Sequence, residues 1–471
     1  MRAAGCQIEE DGTGRVSLRW TFVIGVLMVL AVAAFAGEAK AYVSGDLIYA
    51  KRIGTGASPA GSWSVAAAAD GATVVAGWKW SATLGTYFPM VAKYSVSGER
   101  LWLRTYTEFE AGTADAVAVD ANGNVYVAAT VGTGDALNIV LLRYGSAGTF
   151  KWARMYSGPA GLVDYVEALV IDPTGNVIVV GQSQASADDW GCVALKYDKL
   201  GTMLWGEAAR FDPDPMDPDA GNIWVSDAAR DAGGNVYVAG SSEYWDGDEW
   251  IESALMLKFA AADGATAWSQ TYTSATNPHC SFEQVAVRGT PVVGVGGTWI
   301  NPQDAVVVRY NTSGVQKYAR EWGAGNTTSE WYGDVVMDGS YNIYVTGGQW
   351  SDGWERCVTM KLHPDLTTVW KATYLPSTEW AEGWYIARNS LGNVYVAGVR
   401  YAPKPNQLAD IMTIKYSATG ARKWVRVWSA GGPDNDYAEG LVLGTAGGVY
   451  VSGEVTNVYG YPQAVLLKYK L

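Results

Sequence analysis

The heptapeptide GNVYVAG occupies Gly234–Gly240 and returns unchanged at Gly392–Gly398, 158 residues later. A catalytic motif is needed once per site, so a verbatim second copy marks a structural unit that is repeated. Relaxed matching finds six more copies: ATVVAG ending at Gly77, GNVYVAA from Gly123, GNVIVVG from Gly175, PVVGVGG from Pro291, NIYVTG from Asn342 and GGVYVSG from Gly447. Eight copies at intervals of 51 to 59 residues are too widely spaced for leucine-rich or ankyrin units. They suit a four-stranded propeller blade with generous loops.

Around each copy the chain reads as four short runs. In the second unit these are DAVAVD from Asp115, GNVYVAAT, IVLLRY and FKWARMY ending at Tyr156, rich in Val, Ile and Tyr and separated by Gly, Asn, Asp and Ser. Such runs are strands, and their apolar residues are near-continuous, as expected when both faces of a blade are covered. The turn before the heptapeptide, Asp120-Ala-Asn-Gly-Asn124 and its equivalents from Asp172 and Asp231, places Asp where it accepts backbone N–H groups and Gly where positive φ is needed. No second carboxylate follows at EF-hand spacing, so these turns read as structural and not as calcium loops. The third strand ends in a base and usually an aromatic, from Lys93-Tyr94 to Lys468-Tyr469, and the fourth carries an aromatic: Trp102, Trp152, Trp205, Trp268, Tyr318, Trp370 and Trp424.

The eighth copy stops at Leu471 without a fourth strand. Val43-Ser-Gly-Asp-Leu-Ile-Tyr49-Ala-Lys matches Val96-Ser-Gly-Glu-Arg-Leu-Trp102-Leu-Arg, so the N-terminal segment offers the missing strand. The expected fold is all-β: a single eight-bladed β-propeller of four-stranded antiparallel blades over residues 42–471, closed by the mature N-terminal strand completing the last blade.

The unit D-x-A-x-x-V-D-x-x-G-N-V-Y-V-x-G followed by V-x-x-K-Y-x-x-x-G-x-x-x-W resembles the bacterial SBBP beta-propeller repeat. It is also similar to the tryptophan-docked repeats of eight-bladed quinoprotein-like propellers, whose members include dehydrogenases and assembly scaffolds. The resemblance implies a fold and is nearly silent on activity, because the matching residues build blades. A quinoprotein dehydrogenase would imply a quinone held with calcium and often a vicinal cysteine pair, and this chain has no adjacent cysteines.

The apolar run Trp20–Ala36 follows Arg15 and Arg19 and leads to Ala39-Lys40-Ala41, the pattern of an export signal over residues 1–41 cleaved after Ala41. Glu9, Glu10 and Asp11 are foreign to a basic signal front, so the real start is expected near Val16. The alternative is an uncleaved anchor, the only route by which the chain would meet a membrane. The body is thus expected to be secreted, or periplasmic at the cell envelope, and monomeric. Cys192, Cys280 and Cys357 would remain as buried, unpaired thiols. A formal charge of −13 gives little attraction for phosphate backbones, so nucleic acid is not an expected partner.

Loops after the second strand and between blades vary and share one face of the disc, where function is expected. An acidic residue recurs near the start of the innermost strand: Asp115, Glu167, Asp227, Glu283, Asp334, Glu382 and Glu439, a candidate ring at the mouth of the channel. Asp212, Asp214, Asp217 and Asp219 in FDPDPMDPDAGN form a candidate Ca²⁺ loop, although alternating Pro stiffens it; no other cofactor is expected. Trp78, Trp80, Trp190, Trp245, Trp250, Trp299, Trp331, Trp350, Trp354, Trp380 and Trp384 lie in the variable loops as candidate stacking surfaces. His279 and His363 lie in different blades without triad or metal spacing. The expected function is an exported, non-catalytic scaffold presenting a Trp-rich, acidic face to a protein or glycan at the envelope. The alternative is an extracytoplasmic enzyme, a quinoprotein-type oxidoreductase or a polysaccharide-active enzyme, with its site at the channel mouth.

Overall fold

The computed structural model describes residues 44–471, except 187–188, 206–208, 212–219, 275–276, 300–301, 324–327, 377–378 and 402–407, together with 7–10 and 16–19. The chain divides into two units, Met1–Val43 and Ser44–Leu471. In the first, Gln7–Glu10 pairs antiparallel with Val16–Arg19. The apolar run and the expected cleavage site lie outside the described residues, as do Asp212, Asp214, Asp217 and Asp219.

The second unit is a ring of eight four-stranded antiparallel sheets, each a meander. Blades 1 to 7 begin at Ala60, Gly112, Asp164, Ala220, Cys280, Ser329 and Trp380. Blade 8 is assembled from both ends of the unit: Tyr437–Gly444, Gly448–Thr456 and Pro462–Lys470 supply three strands and Leu47–Ile53 the fourth, paired with Pro462–Lys470 through Lys51 opposite Leu466. The ring is closed as the repeats predicted. Gly45 N–H donates to the Lys470 carbonyl at 2.8 Å and Lys470 N–H to that of Asp46 at 3.0 Å.

Eight apolar clusters fill the eight junctions between blades. The cluster between blades 8 and 1 unites Tyr49, Val75, Met90, Tyr450 and Leu466, all buried. Cys192, Cys280 and Cys357 are free and buried, each in a different junction. Second strands are buried on both faces, Val125–Val131 throughout, whereas outermost strands such as Phe150–Tyr156 bury little besides the tryptophan. Removing apolar area from water at the junctions therefore holds the disc together.

Gly234 and Gly392 have φ of 83° and 80°, a left-handed conformation that glycine adopts without strain. The Asn235 side chain donates to Asp231 Oδ2 at 2.8 Å, and the Tyr237 hydroxyl donates to the same oxygen at 3.0 Å. Val236, Val238 and Ala239 are buried. A Cβ on the closing Gly240 or Gly398 would collide with the carbonyl oxygen of Trp224 or Glu382 on the innermost strand.

The fourth-strand tryptophan docks on the next blade. Trp102 Nε1 donates to the Ser146 carbonyl at 3.0 Å and its ring covers Gly148, where a Cβ would meet Cδ2 at 2.6 Å. Trp268 covers Gly314, Trp370 covers Gly420 and Trp424 covers Gly45, while Tyr49 covers Gly98 across the closing junction. The third-strand base reaches the same neighbouring turn: Lys258 Nζ donates to the Thr312 carbonyl at 2.9 Å and Lys468 Nζ to that of Val96 at 2.6 Å.

Blade 5 breaks the pattern on both sides of its junction. Its docking residue is Tyr318, and the place of the covered glycine in blade 6 is taken by Leu366, buried at a φ of 65°. The equivalence is fixed by arginine: Arg320 donates to the Leu366 carbonyl at 2.9 Å as Arg104 does to that of Gly148 at 2.7 Å. Leu366 thus contributes its own apolar group where an indole would otherwise lie, at the cost of a strained backbone. We predict that Tyr318→Trp and Leu366→Gly are each destabilising alone and that the double variant recovers the loss. A coupling of about 1 kcal/mol or more in denaturant unfolding checks this, and additive losses would contradict it.

Candidate functional site

One irregularity recurs in all eight innermost strands. The pairing with the second strand skips a residue at the same place, leaving a β-bulge at Trp63, Asp115, Glu167, Ser226, Glu283, Gly333, Trp384 and Glu439. A bulge leaves its extra residue unpaired and re-aims the side chain. Here the bulges face open space, since each of the eight residues lines at least one of three cavities.

The largest of four cavities among the described residues, about 730 Å³, lies over blades 3 to 7 and is walled by Glu167, Ser226, Glu283, Gln303, Trp299, Trp331 and Trp384. A second, about 400 Å³, shares Trp299, Gln303 and Trp331 with it and adds Trp350 and Glu355. A third, about 470 Å³, shares Glu167 and contains Asp115, Trp63, Tyr87 and Tyr165. The fourth, about 510 Å³, lies where blade 8 meets blade 1 and contains Trp63, Trp78, Trp80, Tyr87, Tyr437, Glu439 and Glu454.

Of the seven expected acidic ring residues, Asp115, Glu167, Glu283 and Glu439 are bulge residues facing a cavity. The other three are placed differently. Asp227 and Asp334 follow the bulge by one residue, so alternation turns them sideways into the next junction. There they accept the Val285 N–H at 3.0 Å and the Ile386 N–H at 2.7 Å. Ser64 occupies the same place in blade 1 and accepts the Val117 N–H at 3.2 Å. Glu382 precedes the bulge by two residues and accepts the Trp384 indole N–H at 2.9 Å. In those blades the ring positions belong to Ser226, Gly333 and Trp384.

A signal for the correct column was available. The bulge residue lies fourteen positions before the residue closing the heptapeptide in every blade but the fifth, where the glycine packed on the bulged strand is Gly296, one before the end of PVVGVGG, and the count is thirteen. This count also finds Trp63, which composition-based reading of the loops missed.

Indole edges are repeatedly fixed by carboxylates. Trp78 donates to Glu454 at 3.0 Å, Trp224 to Glu243 at 3.0 Å and Trp331 to Glu355 at 3.1 Å. Trp190 stacks on Tyr165 with ring centres 5.7 Å apart and planes 7° from parallel, and Trp384 stacks on Tyr437 at 5.8 Å. Trp350 packs edge-on against Trp380 at 5.4 Å, and Trp245 against Trp250 at 5.7 Å. Trp299, Trp250 and Trp63 are the more open plates, 52%, 46% and 40% exposed, while Trp354 is also exposed and Trp80 is half-buried. The ring contacts order the aromatic face before any ligand arrives.

Burial raises the carboxyl pKa values. Asp115 is pushed up to about 6 by burial, against hydrogen bonds from Thr113 and Thr130. Glu167 is raised by burial and then by the neighbouring charge of Asp115. Glu439 rises to about 7 through burial and the charge of Glu454, and Glu355 is raised by burial and by Glu382. The turn residue Asp172 behaves oppositely: hydrogen bonds from Thr174, Asn176 and Lys196 outweigh burial and lower it to about 2.

Among the described residues no group of three or more His, Cys, Asp or Glu is arranged to hold a metal ion. The described thiols are sealed in blade junctions and line no cavity, so they do not fit the vicinal pair of a quinoprotein site.

No protein-family model and no curated protein matches the chain. Solved structures do. A europium-containing methanol dehydrogenase is 11% identical, with 89% of this chain and 92% of that one covered at a TM-score of 0.52. The polysaccharide lyase Uly1 is 9% identical over 76% of this chain and 90% of its own, with a TM-score of 0.47. The beta-propeller domain of the Trilobed protease from Pyrococcus furiosus is 8% identical over 77% and 96%, with a TM-score of 0.43. Likeness at such identities speaks to the propeller fold alone.

The junction carboxylates set a pH dependence. Burial raises Asp227 to about 6 and, with the charge of Asp227 adding to burial, Asp334 to about 7, both above the ordinary value of 3.8. The folded state therefore binds these protons more tightly than the unfolded one. Stability contributed by the neutral forms is lost as pH rises from about 4 through about 7. Thermal midpoints are expected to fall between pH 5 and pH 8, and less so in Asp227→Asn/Asp334→Asn; an unchanged difference in that variant would contradict the assignment.

Proposed function

We propose that this propeller is an exported, non-catalytic scaffold that presents the bulge-lined face at the envelope to a glycan or a protein, and that its blades are repeats of the SBBP kind. The repeat pattern D-x-x-G-N-V-Y-V-x-G with its docked tryptophan supports the second part. The observation carrying the first is the largest cavity, where Trp299, Trp331 and Trp384 stand among Gln303, Gln284, Ser226, Ser281 and Glu283. Indole plates cover the apolar face of a sugar ring, while amides, hydroxyls and carboxylates take its hydroxyls. An aromatic side chain of a protein partner would find the same plates.

A glycan or envelope-protein array followed by titration calorimetry tests this reading. Binding without turnover is expected, and Trp299→Ala should weaken it about tenfold or more while leaving the thermal midpoint unchanged, because the indole is exposed. Absence of binding to any glycan or envelope protein would overturn it.

One observation favours a second reading, a polysaccharide-active enzyme. Asp115 and Glu167 line the same cavity, and the charge of Asp115 helps hold Glu167 protonated. One ionised and one protonated carboxyl in a sugar-sized cleft are the parts of acid–base glycoside chemistry. That reading predicts cleavage of a bound polysaccharide, lost in Glu167→Gln by about a hundredfold or more. Polysaccharide left intact after prolonged incubation would sink it.

A further inference from the structure

The cavity at the closing junction differs in chemistry from the one over blades 3 to 7. Its walls are aromatic and anionic: Trp63, Trp78, Trp80 and Tyr87 from blade 1, Tyr437 from blade 8, and the carboxyl groups of Glu439 and Glu454. Among the described residues no lysine or arginine lines it. Lys79, between two of the tryptophans in sequence, is engaged by the Ser58 hydroxyl. At about 510 Å³ the space suits a small molecule.

The arrangement within the cage is fixed. Glu454 accepts the Trp78 indole N–H at 3.0 Å, which sets its carboxyl group at an indole edge in the cavity that Trp63 also lines. Trp78 meets Tyr87 edge-on with ring centres 6.2 Å apart, and Tyr437 is held by its stack on Trp384. Aromatic faces attract cations through their quadrupoles, most strongly where water is excluded, and surround alkylated ammonium groups that offer few or no N–H donors. The amides that line the largest cavity are missing here, and besides the indoles the polar side chains are Thr113, the Tyr hydroxyls and two carboxyl groups, of which Glu454 is already engaged by the Trp78 indole N–H, so a neutral sugar would find few partners.

We propose that the cavity between blades 8 and 1 is a binding site for a small organic cation carrying a quaternary or otherwise alkylated ammonium group, free in solution. The ammonium sits against Trp63, Trp78 and Tyr87, and Glu454 supplies the counter-charge. The site stands apart from the glycan-binding reading, which concerns the walls around Trp299.

Calorimetric titration of the full chain with choline chloride, and with 3,3-dimethyl-1-butanol as a neutral analogue of the same shape, tests the proposal. Choline should bind saturably, and the analogue about tenfold more weakly or not at all. Glu454→Gln keeps the shape and removes the charge, and Tyr87→Ala removes a wall that is 44% exposed, so folding should not depend on it. Each is expected to weaken choline binding about tenfold, whereas Trp299→Ala should leave it unchanged. Equal affinity for the neutral analogue, no binding of choline, or indifference to both substitutions would overturn the site. So would binding confined to phosphatidylcholine vesicles or to a trimethyllysine peptide without binding of free choline. Failure of glycan binding in an otherwise choline-binding protein would count against the proposed scaffold function and leave this site standing.

Discussion

Closure of the ring is the constraint on which everything else in this propeller depends. Eight junctions must each bury an apolar cluster, and an open array would leave two blade faces and two strand edges in water. The seam is made by Leu47–Ile53 lying beside Pro462–Lys470, with Trp424 over Gly45 on one side and Tyr49 over Gly98 on the other. Both ends of the unit enter one blade, so local opening there must break a four-stranded ladder and not merely separate two packed faces.

The closed ring gives the inner bulges their significance. An isolated bulge is a local irregularity, but eight bulges at one height around a common axis turn eight unpaired residues toward one face. Their identities are unconstrained by the ladder, so Trp, Asp, Glu, Ser and Gly all occur there. Heptapeptide and bulge are linked: the closing glycine is needed because the bulged strand presses a carbonyl oxygen against it. Blade 2 carries Ala129 at that place, and there the Asp115 carboxylate accepts the Thr130 N–H at 2.8 Å. The repeated framework thus leaves one variable residue per blade for chemistry, in addition to the loops.

The fold was legible in the sequence because every junction repeats the same contacts. Gly at positive φ, Asp heading its turn, Lys or Arg at the end of the third strand and Trp over Gly each leave a recognisable letter at a constant spacing. The closing strand was legible for the same reason, through the match of Val43–Lys51 to Val96–Arg104. The candidate site was less so. A bulge has no residue signature of its own, and one inserted residue reverses which side chain faces inward. Asp227 and Asp334 therefore look like ring members in the sequence while acting as pins between blades, and Trp63, which lies on an innermost strand and not in a variable loop, lines two cavities. The pairing of Tyr318 with Leu366 was legible only in part: the missing tryptophan shows in the repeat, but its partner requires knowing which turn it covers.

The most direct measurement is unfolding of a chain that begins at Gly54, which lacks the closing strand and the Ser44–Asp46 turn that Trp424 covers, with and without a synthetic peptide spanning Ser44–Ile53. Cooperative unfolding should be lost or its midpoint lowered steeply, with recovery when the peptide is supplied. A shortened chain that unfolds as cooperatively, and at the same temperature, as one retaining that strand would contradict closure as the source of the structure.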